Sequence, residues 1–503
     1  MLRPRVFWQT ASILVVTSAL ISVCAAQSPG ADGLVPPAAP IFTSLLSFDS
    51  TDGAYPGSMS LAQATDGNFY GVTGSGGTGS SCTYLYGCGT VFKVTPQGAL
   101  TTLYNFCSLP SCTDGKFPTT GVIQGSDGNF YGVTGAGGSS GYGTVFKITS
   151  AGVLTVLHSF VGTDSSNPEG TLIESNGRFY GTTYGAGSAV DYGTIFRITP
   201  TGTLTTLYSF CSQPGCADGK NPYAGLLQAS DGNFYGTTSQ GGANDTCLAT
   251  QPYGCGTIFK ITPAGTLTTL HTFAGYPDDG NTPAAVMIQA NDMNLYGTTY
   301  QGGTYNEGLA FKLTLGGTLT AIYSFCAQRT HQGSCLYGAD PYEGFIQGTD
   351  GAFYGAALGG LNGTGITYRL TSHGTLMALH NFDSSDGANP YGGVIQGTDG
   401  SFYGNTQNGG ADGAGTLYNL NVGLAPFVKT QTSFGKVGSS VVILGTSLTG
   451  STSVTFNGTA ASFTVVSDSE ITATVPSGAT SGTVFVTTPG RTLKSNKPFR
   501  IVH

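Results

Sequence analysis

The sequence predicts an all-β protein: a seven-bladed β-propeller of four-stranded blades, its N-terminal strand closing the last blade, followed by an immunoglobulin-like β-sandwich. Three observations lead there. The 503 residues include 80 glycines and only 9% charged residues, and runs of Thr, Val, Ile, Phe and Tyr alternate with Gly-rich turns. The phrase Phe-Tyr-Gly or a close variant recurs seven times, at Tyr70, Tyr131, Tyr180, Tyr235, Tyr296, Tyr354 and Tyr403. Finally, the seventh unit lacks a fourth strand, while the N-terminus supplies one that has no unit of its own.

Each unit holds four strands, clearest in the fourth: GLLQA, a turn at SDG, NFYGTT, a variable loop, GTIFKIT, a turn at PAG, then TLTTLHTF. Asp-Gly and Pro-x-Gly make the tight turns, because glycine accepts positive φ and aspartate bonds its own backbone. Both faces of each strand carry apolar residues, so each sheet must be covered on both sides, as propeller blades are. The third strand presents Phe92, Phe146, Phe196, Phe259, Phe311, Tyr368 and Tyr418; the fourth ends at Phe106, Phe160, Phe210, Phe273, Phe325 and Phe382. The missing terminal Phe is Phe48, at the end of IFTSLLSF and ahead of DSTDGAYPG, which parallels DSSDGANPYGG after Phe382. An open solenoid is the rival, but it would need capping ends and has no use for a displaced strand.

The chain opens with a secretory signal. Arg3 and Arg5 precede the apolar run from Val6 to Val23, which leads into Cys24-Ala25-Ala26, with cleavage expected after Ala26. A signal anchor and lipidation at Cys24 are the alternatives; the run is short for a span and carries Gln9, Thr10 and Ser12. Cleavage removes Arg3, Arg5 and the single Trp8; 16 basic against 26 acidic residues then gives a net charge of −10. Phosphate backbones are repelled, so nucleic acid is not an expected partner. Residues 27–40 read as a linker, 41–424 as the propeller and 427–503 as the sandwich, with no transmembrane segment in the mature chain.

The segment 427–503 resembles the IPT/TIG family of immunoglobulin-like modules, through the VxILGTSLTG opening, Val454-Thr455-Phe456-Asn457-Gly458, Ile471 to Pro476 and Ser481 to Val486. The resemblance implies a sandwich of about seven strands, used outside the cell as a spacer or contact module, with no catalytic residues. The repeats resemble the GloVer family of tandem repeats in bacterial secreted proteins, through GTVFKITPxGTLTTLYSF and SDGNFYGTT. That resemblance implies export and residence at the cell surface or beyond, and brings no activity with it.

Connections between first and second strands, and between third and fourth, are short and repetitive. The other two vary, and in a propeller they emerge together on one face, where binding loops are expected. Ten cysteines fall into five local pairs in those loops: Cys82 with Cys88, Cys107 with Cys112, Cys211 with Cys216, Cys247 with Cys255 and Cys326 with Cys335. In an exported chain such pairs point to disulfides, not to a metal. Each small loop closed contributes about 2 kcal/mol by chain entropy. Tyr84, Tyr86, Tyr142, Tyr184, Tyr192, Tyr253 and Tyr305 crowd the same loops and suit sugar rings or peptide, with loop packing as the plainer reading.

Other recurrent residues read as structure. His158, His271 and His380 stand where other units have Tyr104, Tyr208 and Tyr323. Lys93, Lys147, Arg197, Lys260, Lys312 and Arg369 share one position and suggest strand contacts. Gln63, Gln124, Gln228, Gln289, Gln347 and Gln396, with Glu174 as the exception, suggest amides joining adjacent blades. Asp52, Asp114, Asp218, Asp279 and Asp386 serve turns rather than calcium. Glu169 and Glu343 break the repeat at the start of an inner strand and are the weak acid–base candidates. They belong to units three and six, and opposite blades would hold them too far apart for the roughly 5–10 Å of a glycosidase pair. The expectation is a secreted or cell-surface recognition or scaffold protein without catalysis, cofactor or metal. It acts as a monomer on an extracellular glycan or protein; the alternative is a carbohydrate-binding or carbohydrate-active protein using the disulfide-stapled loop face.

Overall fold

The computed structural model describes residues 39–502 apart from 58–59, 83–86, 186–190, 244–246, 248–253 and 332. The expected signal segment, Cys24 and all but the end of the linker lie outside the described residues. Among those described, the repeats form seven antiparallel sheets. The first sheet runs, in spatial order, Ala62–Gln63, Phe69–Thr73, Thr90–Val94 and Leu100–Asn105, and the next five repeat this plan. The first strands are shorter than the GLLQA phrase suggests, because each is an edge strand that pairs on one side and leaves the ladder after two or three residues. The second sheet gains an unexpected strand, Lys116–Pro118, where the loop following Cys112 runs beside the lengthened strand Phe130–Ala136.

The seventh sheet consists of Ile395–Gln396, Phe402–Thr406, Thr416–Asn421 and, as its fourth strand, Ile41–Ser47. Ile41 pairs with Asn421 and Ser47 with Thr416, with a bulge between Ser44 and Leu46. The first sheet has the same bulge between its third and fourth strands, at Val91/Phe92. The displaced strand therefore keeps fourth-strand geometry although some 370 residues of chain lie between it and its partner.

Three contacts, repeated from sheet to sheet, explain the recurrent phrase. Tyr70 stacks on Phe130 of the second sheet with ring centroids 3.8 Å apart, Tyr131 on Phe179 at 3.9 Å and Tyr354 on Phe402 at 4.0 Å. Tyr403 of the seventh sheet lies against Phe69 of the first at 4.1 Å. Such pairs contribute about 0.5–1.5 kcal/mol beyond their area burial. The tyrosine tip is satisfied within its own unit: Tyr70 donates to Asp66 at 2.9 Å and Tyr131 to Asp127 at 2.7 Å. Glycine follows because the third-strand aromatic covers it; a Cβ on Gly71 would lie 2.6 Å from Cζ of Phe92.

The second contact is the amide joint. The side-chain oxygen of Gln124 accepts from the Thr65 N–H at 3.0 Å, Gln289 from Ser230 at 2.8 Å, Gln347 from Asn291 at 2.9 Å and Gln396 from Thr349 at 3.1 Å. Glu174 does the same for Ser126 at 2.8 Å. Gln63 accepts from Thr398 at 3.0 Å, joining the first sheet to the seventh. The third contact is a close approach of backbone. Gly98, at φ +90°, sits where a Cβ would lie 2.6 Å from the carbonyl oxygen of Leu45, the bulged residue of the displaced strand; Gly152 meets Leu103 in the same way at 2.5 Å.

Residues 427–502 fold as two four-stranded sheets, with Phe434–Lys436 pairing in parallel with Arg500–Val502, around a core that includes Val441, Ile443, Phe456, Ile471, Val484 and Val486. The array and this sandwich share one compact unit, Ala38–His503. Thr446 meets Thr398 at 2.8 Å, Ser469 donates to the Thr65 carbonyl at 2.7 Å, Gln431 to that of Gly125 at 3.2 Å, and Arg500 to that of Ser230. Those carbonyls and hydroxyls belong to the turns after the first strands of sheets seven, one, two and four, so the sandwich spans the ends of several sheets at once.

Two outcomes test these contacts. Gln63→Leu leaves a buried N–H of Thr398 without its acceptor and should lower stability by about 1–3 kcal/mol in urea unfolding; an unchanged midpoint would remove the joint from the account. Tyr368 and Tyr418 carry buried hydroxyls without a partner among the described residues. Tyr368→Phe should therefore raise stability by up to about 1 kcal/mol, and a loss would contradict this reading.

Candidate functional site

A recurrent proline places the site. Asn167, Asn221, Asp340 and Asn389 take left-handed φ of 50°, 56°, 47° and 54°, a region that Asn and Asp tolerate, and each precedes a proline. The proline docks on the preceding sheet: a Cβ on Gly193 would lie 2.7 Å from Cδ of Pro222. The next positions, occupied by Glu169, Tyr223, Tyr342-Glu343 and Tyr391, are thereby delivered to one place from four sheets. Tyr184 and Tyr300 join them from the residue after the second strand.

Tyr342 is the hub. Its hydroxyl donates to that of Tyr223 at 2.6 Å, and its ring meets Tyr223, Tyr300 and Tyr391 edge-on at centroid distances of 5.8, 5.6 and 5.2 Å. Tyr184 meets Tyr223 edge-on at 6.1 Å. All five are half-buried. Glu169 and Glu343 lie near them: burial raises the pKa values of the Tyr223 and Tyr342 phenols, and both carboxyls add to the rise. The two acids, on units three and six, thus act on the same two phenols.

The carboxyls are half-buried and surrounded by protein, and neither forms an ion pair among the described residues. Loss of solvation pushes Glu169 and Glu343 from the ordinary 4.5 up to about 8. Asp340, beside Tyr300, is pushed up to about 6 by burial and by Glu307. Gly135 packs beside the site, where a Cβ would lie 3.9 Å from Oε1 of Glu169 and 2.7 Å from Cγ2 of Thr119. Phenols and neutral carboxyls both donate and accept hydrogen bonds, so the cluster can grip hydroxyl groups while its rings offer apolar faces.

The loop tyrosines do not share one place. Tyr184 joins the cluster. Tyr142 and Tyr192 line a separate cleft of about 540 Å³ with Asp164 and Asp191, and Tyr305 is exposed at the surface. Tyr84, Tyr86 and Tyr253 lie outside the described residues. Tyr223, Tyr300, Tyr342 and Tyr391 were missed. The signal was present, as Tyr223, Tyr342 and Tyr391 each follow the recurrent proline.

The five cysteine pairs form disulfides as expected: Cys82–Cys88, Cys107–Cys112, Cys211–Cys216, Cys247–Cys255 and Cys326–Cys335. The possible ligand groups Cys82, Cys88, Cys107 and Glu307, Cys326, Cys335 rest on these sulfurs, which offer no thiolate. The histidines share the tyrosine role: His158, His271 and His380 bond Asp164, Asp279 and Asp386 at 2.7, 2.9 and 2.7 Å, as Tyr104 and Tyr208 bond Asp114 and Asp218 at 2.8 Å each. Lys260, Lys312 and Arg369 pair with Asp231, Asp292 and Asp350 at 3.0, 2.9 and 3.0 Å.

The model of the Gloeobacter/Verrucomicrobia repeat matches residues 16–248 and 245–473 in two tandem copies. The chain belongs to the Gloeobacter/Verrucomicrobia repeat family. No curated protein matches it in sequence. Among solved structures, this Gloeobacter/Verrucomicrobia repeat chain is similar to PorZ, a surface component of the type-IX secretion system of Porphyromonas gingivalis, at 14% identity and a TM-score of 0.44, covering 88% of this chain. It spans 59% of the length of PorZ. It is also similar to an auxiliary nutrient binding protein of Bacteroides thetaiotaomicron at 11% identity and a TM-score of 0.40, with 76% of each chain covered. A luciferin-regenerating enzyme matches at 11% identity and a TM-score of 0.39, over 77% of this chain and 97% of the other. Likenesses at this level say nothing of chemistry. The disulfides of this repeat-family chain point to an oxidising, extracellular or surface location, and no described helix is long and apolar enough to cross a membrane.

The carboxyls predict a pH dependence. A folded pKa of about 8 against 4.5 unfolded means that both states hold the proton below pH 4.5. As pH rises, the unfolded chain releases it first, so stability falls until the folded pKa is passed. Glu343→Gln should melt with the wild type at pH 4 and at a higher temperature at pH 9. An equal offset at both values would rule out the burial of an ionisable group as its cause.

Proposed function

We propose that this chain is an exported recognition protein that binds a neutral, polyhydroxylated ligand of the glycan class without turning it over. In this reading residues 1–26 are a signal peptide. The seven sheets of 41–424 are the blades of a closed propeller, and 427–503 form an IPT/TIG-type module that positions it at the surface. Contacts between the first and seventh sheets, through Gln63 and Tyr403, support the closed ring.

The observation that carries the ligand class is the meeting of five tyrosines from five sheets around two carboxyls that are uncharged at neutral pH. The same observation speaks against hydrolysis. A glycosidase needs one carboxyl protonated and its partner ionised, which requires environments that push the two pKa values apart. Here a single cause, burial, raises both to about 8 and leaves neither as a base at pH 7.

Calorimetric titration with a panel of neutral mono- and oligosaccharides, paired with a reducing-end product assay, tests this. Binding that is lost in Tyr342→Ala and unaccompanied by product supports the proposal. Cleavage abolished by Glu169→Gln or Glu343→Gln would establish an enzyme instead, and absence of binding across the panel would remove the glycan reading.

A further inference from the structure

We propose that the two disulfides of the first unit, Cys82–Cys88 and Cys107–Cys112, form a thiol–disulfide exchange site, which takes electrons from an external dithiol at Cys82 and passes them to the buried Cys107–Cys112 bridge. The sulfur of Cys107 lies within 4.8 Å of the sulfurs of both Cys82 and Cys88. The first unit alone carries one staple between its second and third strands and another after its fourth. Cys211–Cys216 and Cys326–Cys335 follow fourth strands and Cys247–Cys255 lies between second and third strands, but no further cysteine stands in the companion loops of those units. The site is separate from the tyrosine cluster and does not rest on the ligand proposed for it.

Backbone contacts set the two stapled loops side by side. The Ser81 N–H donates to the Cys107 carbonyl at 2.8 Å, and the Phe117 N–H to that of Cys88 at 2.9 Å. Cys88, Cys107 and Cys112 are buried in one apolar cluster with Phe106, and Cys82 packs half-buried against it. Of the four, Cys82 is therefore the one that a reagent in solvent reaches most readily. Cys107, Ser111 and Cys112 take left-handed φ of 58°, 57° and 53°, a region that such residues enter at a cost. Opening the bridge between them lets the loop leave it.

The exchange balances with the dithiol as its single co-reactant. One thiolate of the dithiol attacks Sγ of Cys82; the Cys82–Cys88 bond breaks, and Cys88 leaves as a thiolate. That thiolate, already beside Cys107, attacks its Sγ. A Cys88–Cys107 bond forms, the Cys107–Cys112 bond breaks, and Cys112 leaves with the electron pair. The second thiolate of the dithiol then attacks the reagent sulfur held at Cys82, closing the reagent's own disulfide and freeing Cys82. Two electrons leave the dithiol, and its two protons end on Cys82 and Cys112, with Cys88–Cys107 as the remaining bridge. A slow attack on a buried bridge is thereby replaced by a step between neighbours within the chain.

The experiment treats the full chain, its disulfides formed, with graded dithiothreitol, followed by acid quenching, alkylation with N-ethylmaleimide and peptide mass mapping. Cys211–Cys216 serves as the internal control: its cysteines are also five residues apart, and they are half-buried where Cys107 and Cys112 are buried. Exposure by itself predicts that Cys211–Cys216 opens first. Exchange predicts the reverse order, with Cys82 and Cys112 alkylated together and a Cys88–Cys107 linked peptide. In the double variant Cys82→Ala with Cys88→Ala, Cys107–Cys112 should open at least about 10-fold more slowly, while Cys211–Cys216 keeps its wild-type rate and so reports an intact fold. The proposal is overturned by wild-type protein in which Cys211–Cys216 opens first or together with Cys107–Cys112, by absence of the Cys88–Cys107 link, or by an unchanged Cys107–Cys112 rate in the variant.

Discussion

The pairing of Ile41–Ser47 with Thr416–Asn421 is the constraint on which the rest of the array depends. It gives the seventh sheet its outer strand, and that strand in turn presents Leu45 to Gly98 of the first sheet. Without it, Tyr403 and Phe69, or Gln63 and Thr398, would have to hold the two ends of the array together alone. Closing so long a stretch of chain carries an entropic cost, but one that grows only logarithmically with length. Contacts already repeated between other pairs of sheets offset it, because the displaced strand uses the same bulge and the same glycine approach as its counterparts.

Seen this way, Phe-Tyr-Gly is an interface motif more than a strand motif. The phenylalanine faces one neighbouring sheet, the tyrosine the other, and the glycine accepts the third-strand ring of its own sheet. Each sheet is thereby indexed to both neighbours, and errors in one would propagate to the next. The low charge content follows, since most residues of each strand are covered on both faces. Charge is kept for turns, where it answers tyrosine and lysine tips, and for the ends of the array.

Those two ends differ in kind. At one, uncharged acids sit among phenols; at the other, the sandwich spans the turns that follow the first strands. Burial drives the acids toward neutrality by raising their pKa values. The chain gains nothing in stability from burying two acids, which is why that end reads as a site for something that binds.

The repeat, its strand order, the displaced strand, the cysteine pairs and the turn roles of aspartate and histidine were legible in the sequence because each rests on spacing within one unit or on a local phrase. The joints of Gln63, Gln124, Gln289, Gln347 and Gln396 were legible for the same reason, as one amide recurs at one position, whereas Gln228, among the described residues, bonds only the Gly232 carbonyl of its own turn. What the tertiary structure alone decided is which irregular residues meet. Glu169, Tyr223, Glu343 and Tyr391 are each a single departure from the repeat, separated by 48 residues or more along the chain. Only the left-handed residue and proline ahead of them, repeated in sheet after sheet, turn such scattered departures into one cluster. Loop tyrosines looked equally suitable by composition, yet Tyr142 and Tyr305 end elsewhere, because direction in space is set by how each sheet packs on the next and not by distance along the chain.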